Sequence, residues 1–274
     1  MREGYAKMIN LNGEKVNIKK FPNGESLINS ENLKINYSDV NTIKLKFEND
    51  EDITHLLFLK GHLDEQRVKC SLEIAYLPYS RMDRTEGMTV FTLKHLCKFI
   101  NSLEFEEVSI YEPHSDVCVA LLDRVKVINM TKILTDQLLE NIKSNAEELY
   151  IVYPDAGAAK RYGKQIKYEK ILTASKERDF KTGYIKSLEI NGTVQNAKFR
   201  AIIADDLCSR GGTFILTAEK LKEMGATEIY LVVTHCEDTI FDGDILKTDL
   251  ITKVYTTNSI LSKEHEKIEM SKII

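Results

Sequence analysis

From about residue 56 onward, short apolar runs alternate with amphipathic stretches along the chain. The runs are rich in Ile, Val, Leu and Tyr, which is typical of strands buried on both faces of a parallel sheet. They cover residues 72–77, 107–112, 149–153, 200–204 and 229–234. The stretches with helical spacing cover residues 89–102, 131–144 and 213–225. This alternation predicts an α/β fold in which crossover helices connect mainly parallel strands.

The pattern divides the chain into two similar α/β halves, residues 1–125 and 126–274. The segment VKVINMTKI lies at the division and either starts the second half or joins the two. The last stretch, SILSKEHEKIEMSKII, has helical spacing, and we expect it to pack as a helix on one of the halves.

Composition narrows the class of protein. Among the 274 residues, 38 are Lys or Arg and 42 are Asp or Glu, so the net charge is −4 and gives no basic nucleic-acid footprint. The five cysteines are widely spaced without a CxxC pair, which argues against a disulfide framework and a zinc ribbon. No apolar run approaches the roughly 20 residues that span a bilayer. We therefore expect a cytoplasmic protein without membrane or nucleic-acid partners.

The four prolines, Pro22, Pro78, Pro113 and Pro154, lie in polar loops. These loops read FPNGE, LPYSRMDR, EPHSD and YPDAG, and the last three directly follow predicted strands. Ligands of open α/β sheets bind at the carboxyl ends of the strands, because the loops there can vary without disturbing the sheet. The prolines therefore point to a ligand site at that edge, although each alone is also explained by the end of a strand.

The strongest single signal is AIIADDLCSRGGT, in which a strand delivers two carboxylates and a Gly-rich turn then begins a helix. Free N–H groups at a helix start favour a phosphate, and carboxylates accept hydrogen bonds from sugar hydroxyls. The alternative that stays open is an ordinary strand, turn and helix in which the acids cap the helix and no ligand binds. The pattern predicts a site for a phosphorylated ribose, formed by Asp205, Asp206, Ser209, Arg210, Gly211, Gly212 and Thr213.

This loop resembles the phosphoribosyl-diphosphate (PRPP) binding motif shared by type I phosphoribosyltransferases and ribose-phosphate diphosphokinases, the PRPP synthetases. FPNGE, YSRMDR, EPHSD, PDAGAAKR (residues 154–161) and SKERDF follow the order and approximate spacing of the diphosphokinases, and the resemblance covers about residues 21–235. It implies two phosphoribosyltransferase type I-like domains. The domain 1–125 would contain the ATP site and the metal-binding His, and the domain 126–274 the ribose 5-phosphate loop.

The resemblance also implies roles for individual residues. Independently of the resemblance, the planar guanidinium groups of Arg81 and Arg84 can bind phosphates through two hydrogen bonds each. The ATP-binding positions are Asn23, Gly24, Glu25, Arg81, Met82, Asp83 and Arg84. The Mg²⁺-binding positions are His114 and Asp155, and the catalytic positions are Lys176 and Arg178, in a charged loop expected to close over the transferring phosphate.

The implied activity is that of a diphosphokinase-type transferase, which moves the diphosphoryl group of MgATP to the C1 hydroxyl of ribose 5-phosphate and releases AMP. ATP is then a co-substrate, and a homodimer or larger homo-oligomer is expected. The chain departs from the family in being short before Phe21 and in having Met82 in place of Gln and Asn23 in place of Asp.

A further departure bears on the acceptor. The family's loop reads Asp-Thr-Gly-Gly-Thr, whereas this chain has Ser209 and Arg210 before the glycines, which shifts the local charge by two units toward positive. The added charge leaves ADP-ribose open as an alternative acceptor, with ADP-ribose pyrophosphate as its product. A phosphoribosyltransferase and an inactive synthetase-like subunit also stay open as functions of the chain.

Overall fold

The computed structural model describes residues 9–85, 87–142, 147–178 and 185–273, without the side chains of 177, 178, 185 and 186. These residues form two compact units, 9–128 and 129–273. Each unit has a mainly parallel sheet flanked by helices, which confirms the predicted fold class. None of the helices in the described ranges is both long and apolar enough to cross a lipid bilayer.

The first unit begins with short strands and continues with alternating strands and helices. Its strands are β1 (Ile9–Leu11), β2 (Glu14–Lys15), β3 (Ile18–Lys20), β4 (Ser26–Ile28), β5 (Asn41–Leu45), β6 (Cys70–Ile74), β7 (Val108–Tyr111) and β8 (Val125–Ile128). Its helices are α1 (Glu51–Glu65), α2 (Thr92–Ser102) and α3 (Asp116–Leu121). The sheet order is β2-β1-β5-β6-β7-β8, with β5 to β8 parallel. The strands β3 and β4 form a separate antiparallel hairpin.

The second unit begins with helix α4 (Met130–Ile142) and also contains α5 (Ala156–Tyr162) and α6 (Gly212–Glu223). Its strands are β9 (Glu148–Tyr153), β10 (Ile171–Arg178), β11 (Ile185–Asn191), β12 (Phe199–Cys208), β13 (Ala226–Cys236), β14 (Lys253–Thr257) and β15 (Ile268–Ser271). The sheet order is β11-β10-β9-β12-β13-β14-β15. Only the β10–β11 pairing is antiparallel among the described pairs of this sheet.

Apolar periodicity explains why these segments fold as they do. In α2, Leu93, Leu96, Cys97 and Ile100 are buried, which is the one-sided pattern of a helix packed on a sheet. The central strands β9, β12 and β13 are buried on both faces, as a parallel sheet between helices requires. The carboxyl ends of these central strands therefore lie at one edge, where polar loops can form a site.

Strand β12 extends further than the apolar run 200–204 indicated. Its pairing with β9 ends at Ile203, but its pairing with β13 continues to Cys208. Asp205 and Asp206 consequently lie inside the strand rather than in a loop after it. Among the described strand pairs, β9 does not pair with Asp205 or Asp206, so these two residues have a strand neighbour on the β13 side only.

Two expectations about local structure are wrong. The stretch 259–274 is not a helix over its described residues: Ile268–Ser271 form β15, which pairs in parallel with β14. The charged stretch SKERDFKTG, expected as a loop, is strand over its described residues 175–178, because β10 continues to Arg178 and pairs antiparallel with β11, with Lys176 opposite Leu188; residues 179–183 lie outside the described residues. In both cases pairing with a neighbouring strand determines the backbone, and the composition of the segment itself carries no signal of such pairing.

Candidate active site

The turn before α6 has the geometry of an anion site. Gly211 caps the helix in the left-handed region (φ 82°, ψ 14°), and no side chain bonds the cap. The first N–H groups of a helix lack partners within the helix, so those of Gly212 and Thr213 are available to an acceptor. Arg210 is exposed beside them. Among the described residues no hydrogen bond or ion pair engages the Arg210 guanidinium, so it is available to a ligand as well.

The segment after β13 supports this turn, and sequence reasoning missed it. The Ser209 hydroxyl lies 3.0 Å from that of Thr239, which donates to Glu237 at 2.9 Å. A Cβ on Gly243 would lie 2.0 Å from the Arg210 carbonyl oxygen, and one on Gly211 would lie 2.1 Å from Ile245 Cδ1. Close packing therefore fixes the backbone of the turn while the Arg210 side chain stays exposed.

The two acids of β12 have different surroundings. Asp206 is buried, and its Oδ2 atom lies 3.1 Å from Nη1 of Arg161. Asp205 is partly buried, and its Oδ1 atom accepts the Asp206 N–H at 2.9 Å. Burial raises the pKa of Asp205 well above its ordinary value, and the neighbouring carboxylates Asp206 and Asp155 raise it further. Of the two acids, Asp205 is thus the more accessible to a sugar hydroxyl.

A buried hydroxyl supports the backbone of the same strand. Thr131, in the first turn of α4, donates to the carbonyl oxygen of Asp205 at 3.0 Å and lies 2.8 Å from the Thr234 hydroxyl of β13. All atoms of Thr131 and Thr234 are inaccessible to solvent. This helix therefore fixes the strand at the position where the acids begin, a contact that no local sequence motif indicates.

Asp155 and Lys176 form an ion pair at the ends of neighbouring parallel strands. The Nζ atom of Lys176 lies 2.8 Å from Oδ2 of Asp155. Asp155 is also the N-cap of α5, and its Oδ1 atom accepts the Ala158 N–H at 2.9 Å. Burial alone would raise the pKa of Asp155, but Lys176 and the backbone N–H groups outweigh it and lower that pKa.

The second unit thus brings together most of its predicted site residues at one edge of the sheet. Ile203 of β12 lies opposite Val152 of β9, so Asp205 and Asp155 follow at the same edge of the sheet, and the charge of Asp155 raises the pKa of Asp205. Asp155 offers a carboxylate oxygen, the ligand type that Mg²⁺ prefers together with nucleotide phosphates and water. The chemistry of this donor therefore fits the implied Mg²⁺. The side chain of Arg178 lies outside the described residues.

In the first unit, the YSRMDR loop presents charged groups to solvent. Arg81, Met82 and Arg84 are exposed, whereas Asp83 is largely buried. The Nη1 atom of Arg84 lies 3.9 Å from Oδ1 of Asp83, a loose pairing for a guanidinium fork. Two exposed guanidinium groups on one loop are suited to the phosphates of a nucleotide.

Strained backbone occurs at two predicted loops of this unit. Tyr79 (φ +60°) opens YSRMDR, and its hydroxyl donates to Asp50. Glu112 (φ +41°) directly follows β7 and is the first residue of the EPHSD loop, and its N–H donates to the Ile128 carbonyl at 2.9 Å. Residues other than Gly adopt positive φ rarely, and such strain is concentrated at functional sites. Glu112 turns the chain so that His114 is only partly buried.

The FPNGE motif is the tip of the β3–β4 hairpin. Gly24 has φ +93°, and its N–H donates to Phe21. Asn23 and Glu25 bond each other, with Asn23 Nδ2 2.7 Å from Glu25 Oε2, and all three predicted residues are exposed. These side chains are satisfied within the turn and present an exposed polar tip.

Comparison with known proteins places this architecture in a family. Residues 186–274 match the phosphoribosyl synthetase-associated domain. The chain is 28% identical over 265 residues to a ribose-phosphate pyrophosphokinase of Sulfurisphaera tokodaii, covering 94% of this chain and 89% of that protein. It is 30% identical over 227 residues to the Pyrococcus abyssi ribose-phosphate pyrophosphokinase, covering 80% and 75%.

A solved structure shares the fold. The crystal structure of phosphoribosylpyrophosphate synthetase from Mycobacterium smegmatis matches with a TM-score of 0.74 and 17% identity, covering 94% of this chain and 86% of that one. Fold and sequence agree, and the chain belongs to the ribose-phosphate pyrophosphokinase family, a family of transferases.

Proposed function

We propose that the protein transfers the β,γ-diphosphoryl group of ATP to the C1 hydroxyl of ribose 5-phosphate, giving PRPP and AMP. One observation carries the proposal: the unbonded N-terminus of α6 and the exposed Arg210 lie in one turn that directly follows the strand bearing Asp205. A phosphate and a sugar hydroxyl are the groups that this combination recognises. The names of the relatives support the same reaction.

In this proposal the 5′-phosphate binds the turn 209–213, where the N–H groups of Gly212 and Thr213 point outward from the helix start. Arg210 adds positive charge, and Asp205 accepts a hydrogen bond from a ribose hydroxyl. Asp206 contributes through its contact with Asp205 and not directly, because it is buried against Arg161. The tight packing at Gly211 and Gly243 prevents the turn from collapsing when the ligand leaves.

The nucleotide would bind through the exposed Arg81 and Arg84 of the first unit and the FPNGE tip. Met82 adds an exposed apolar side chain that suits contact with a base. Asp155 would bind Mg²⁺, which when bound supplies positive charge to the ATP phosphates, and His114 is the metal-binding position proposed for the first unit. The first unit thus provides the ATP site, and the second unit the acceptor site.

The reaction needs positioning and charge more than covalent participation of the protein. The C1 oxygen attacks the β-phosphorus and loses its proton, while the bond from that phosphorus to the oxygen bridging the α-phosphate breaks. AMP leaves with the bridging oxygen. Lys176, released from Asp155, can place its charge on the transferring phosphates, and such preorganised charge is the main source of catalysis in phosphoryl transfer.

A second acceptor is supported by one specific observation. The exposed Arg210 guanidinium is not engaged by any described side chain, and it stands where the family has Thr. A diphosphate ester such as ADP-ribose has a second phosphate group beyond its 5′-phosphate, which ribose 5-phosphate lacks. The same chemistry on ADP-ribose, giving ADP-ribose pyrophosphate, is therefore the alternative activity of this site.

We also propose that the chain acts as a homodimer or a larger homo-oligomer. Large apolar side chains are exposed chiefly in the first unit: Phe21, Leu27, Tyr37, Val40, Leu57, Phe58, Met82, Met88 and Val90. Surfaces that bind another protein expose large apolar side chains of this kind. Light scattering after size exclusion should give a mass of at least twice 31.4 kDa. A monomer at micromolar concentration would contradict this part of the proposal.

The activity is tested by incubating the purified protein with ATP and Mg²⁺ and with either ribose 5-phosphate or ADP-ribose. AMP is measured by chromatography, and PRPP is measured by its consumption in a coupled phosphoribosyltransferase reaction. AMP formed only with ribose 5-phosphate supports the main proposal, whereas AMP formed mainly with ADP-ribose supports the alternative activity. If neither acceptor yields AMP, release of pyrophosphate from PRPP and a base tests whether the chain is a phosphoribosyltransferase.

A further inference from the structure

We propose that Arg161 is a positioning residue of the acceptor site, which holds Asp206 so that Asp205 faces the ribose; this inference rests on the proposed function. The Nη1 atom of Arg161 lies 3.1 Å from Oδ2 of Asp206. The side chain of Asp206 is 7% exposed and that of Arg161 is 25% exposed. A carboxylate buried to this degree requires a charged partner, since an unpaired buried charge is strongly destabilising.

The guanidinium is held by aromatic neighbours as well. Its central carbon lies 5.8 Å from the ring centroid of Tyr162, which is fully buried. The Tyr162 ring in turn stacks on Tyr153, with centroids 6.4 Å apart and planes at 25°. A planar cation fixed in this way restricts the orientation of the carboxylate that it binds.

Helix α5 connects two predicted functions of the site. Asp155, the predicted metal ligand, is its N-cap, and Arg161 lies in its last turn. Arg161 therefore ties the end of β12, which bears the acceptor acids, to the helix that begins at the predicted metal ligand. The distance between these two parts of the site then depends on one short, rigid element rather than on a loop.

The charge balance of the site also depends on this pair. The carboxylates of Asp155 and Asp206 both raise the pKa of Asp205 at the sheet edge. The ion pair with Lys176 offsets the negative charge of Asp155, and the ion pair with Arg161 offsets that of Asp206. Burial alone would lower the pKa of Arg161, but Asp206 and Tyr162 together outweigh it and raise that pKa, so the cation persists at any working pH. Without it, an additional negative charge would oppose an anionic acceptor.

The test compares Arg161→Gln, Arg161→Lys, Asp206→Asn and the double variant Arg161→Gln/Asp206→Asn with Lys160→Gln. Lys160 is the neighbouring exposed lysine of the same helix turn and provides a matched loss of charge. Kinetics are measured with ribose 5-phosphate and ATP varied separately. Binding of ribose 5-phosphate alone is measured by calorimetry, which gives a readout besides activity.

We expect Arg161→Gln to raise the KM for ribose 5-phosphate about tenfold and to weaken its binding to a similar extent, with the KM for ATP changed less than about twofold. Arg161→Lys should lie between this variant and the wild type, because it keeps the charge but not the planar fork. The double variant should have nearly the same KM for ribose 5-phosphate, and bind it nearly as well, as Asp206→Asn alone, because the two residues act as a pair. Lys160→Gln should behave as the wild type.

Three results would overturn the inference: an Arg161→Gln variant that matches Lys160→Gln, effects of the two single variants that add fully, or equal changes in the KM values of both substrates. Each of these leaves the proposed function intact, because the wild type still forms AMP. A wild type that binds ribose 5-phosphate but forms no AMP removes the proposed function alone, and the binding data still decide on Arg161. A wild type that neither binds nor reacts with ribose 5-phosphate overturns both.

Discussion

The Nζ atom of Lys176 lies 2.8 Å from Oδ2 of Asp155, so the predicted catalytic cation and the predicted metal ligand are paired in the free protein. Strand register explains the contact: Thr173 of β10 lies opposite Tyr153 of β9, and both strands run in the same direction. Continuing each strand by two or three residues brings the two side chains to the same edge. The pairing lowers the pKa of Asp155 and so favours its carboxylate form.

Replacing Lys176 with Met should lower kcat about 100-fold or more while the protein stays folded. The lysine is the described cation nearest the predicted metal ligand, and removing one preorganised charge from a transition state typically costs this much. Steady-state AMP formation and circular dichroism measure the two effects.

Lys170→Met is the matched control for that experiment. Lys170 directly precedes β10 and also pairs with a carboxylate, that of Glu148, but at the opposite end of the strand. We expect this variant to keep at least half of the wild-type kcat. Similar losses in both variants would show that Lys176 acts through strand stability and not through its charge at the site.

Replacing Asp205 with Asn should stabilise the protein at neutral pH and lower its activity. Because burial and the neighbouring acids raise the pKa of Asp205 in the folded state, the folded protein keeps a proton that the unfolded chain loses above about pH 4. Wild-type stability therefore falls as pH rises from about 4 through the raised pKa. The amide has no such proton to lose, so the variant avoids this decrease.

Thermal unfolding from pH 4 to pH 8 measures the difference. The Tm of Asp205→Asn should exceed that of the wild type by about 2 °C or more at pH 8, and the gap should shrink toward pH 4. The surface variant Asp123→Asn controls for the loss of one negative charge and should show no such trend. An Asp205→Asn variant less stable than the wild type at every pH would contradict the assignment of a raised pKa.

Local patterns predicted the parts of the fold in which side chains and backbone agree. The buried positions Leu93, Leu96 and Ile100 repeat with the helical period, and the Ile/Val run of β12 is too apolar for a surface segment. The site loops followed from these strands, since their carboxyl ends share one edge. The ion pair of Asp155 with Lys176 needs in addition the register of two strands, which no local pattern contains.

The remaining features depend on contacts between distant segments. In β15 a buried Ile268, an exposed Glu269 and a half-buried Met270 are too few to distinguish a period of two from a helical one. Arg161 ends the motif PDAGAAKR, but its partner Asp206 becomes visible only when β12 lies beside it in the folded chain. Thr239 supports the phosphate turn from beyond the next strand, so its role becomes visible only in the folded chain.

Gly211→Ala and Gly212→Ala should differ in stability although the residues are adjacent. Gly211 has φ +82°, and an added Cβ would lie 2.1 Å from Ile245, whereas nothing lies within 4 Å of a Cβ on Gly212. The first change should lower the free energy of unfolding by about 1–3 kcal/mol, through left-handed strain and overpacking. The second should leave it unchanged or raise it by up to about 1 kcal/mol.

Urea denaturation monitored by fluorescence or circular dichroism gives both values. Calorimetry with ribose 5-phosphate should also show weaker binding for Gly211→Ala, because the turn must shift to admit the methyl group. If the two variants are equally stable, the turn does not adopt the left-handed backbone at Gly211.

Replacing Arg210 with Thr, the family residue, should reduce the use of ADP-ribose more than the use of ribose 5-phosphate. The Arg210 backbone is packed against Gly243 and flanked by the Ser209–Thr239 contact, so the substitution removes an exposed guanidinium without moving the turn. A diphosphate ester can engage that charge beyond the site of the first phosphate, whereas ribose 5-phosphate keeps the N–H groups of α6. We expect kcat/KM for ADP-ribose to fall about tenfold further than kcat/KM for ribose 5-phosphate, and Arg210→Lys to restore part of the difference. Equal losses on both acceptors would instead assign Arg210 to the phosphate that the two share, and the departure from the family loop would then strengthen binding without changing the acceptor.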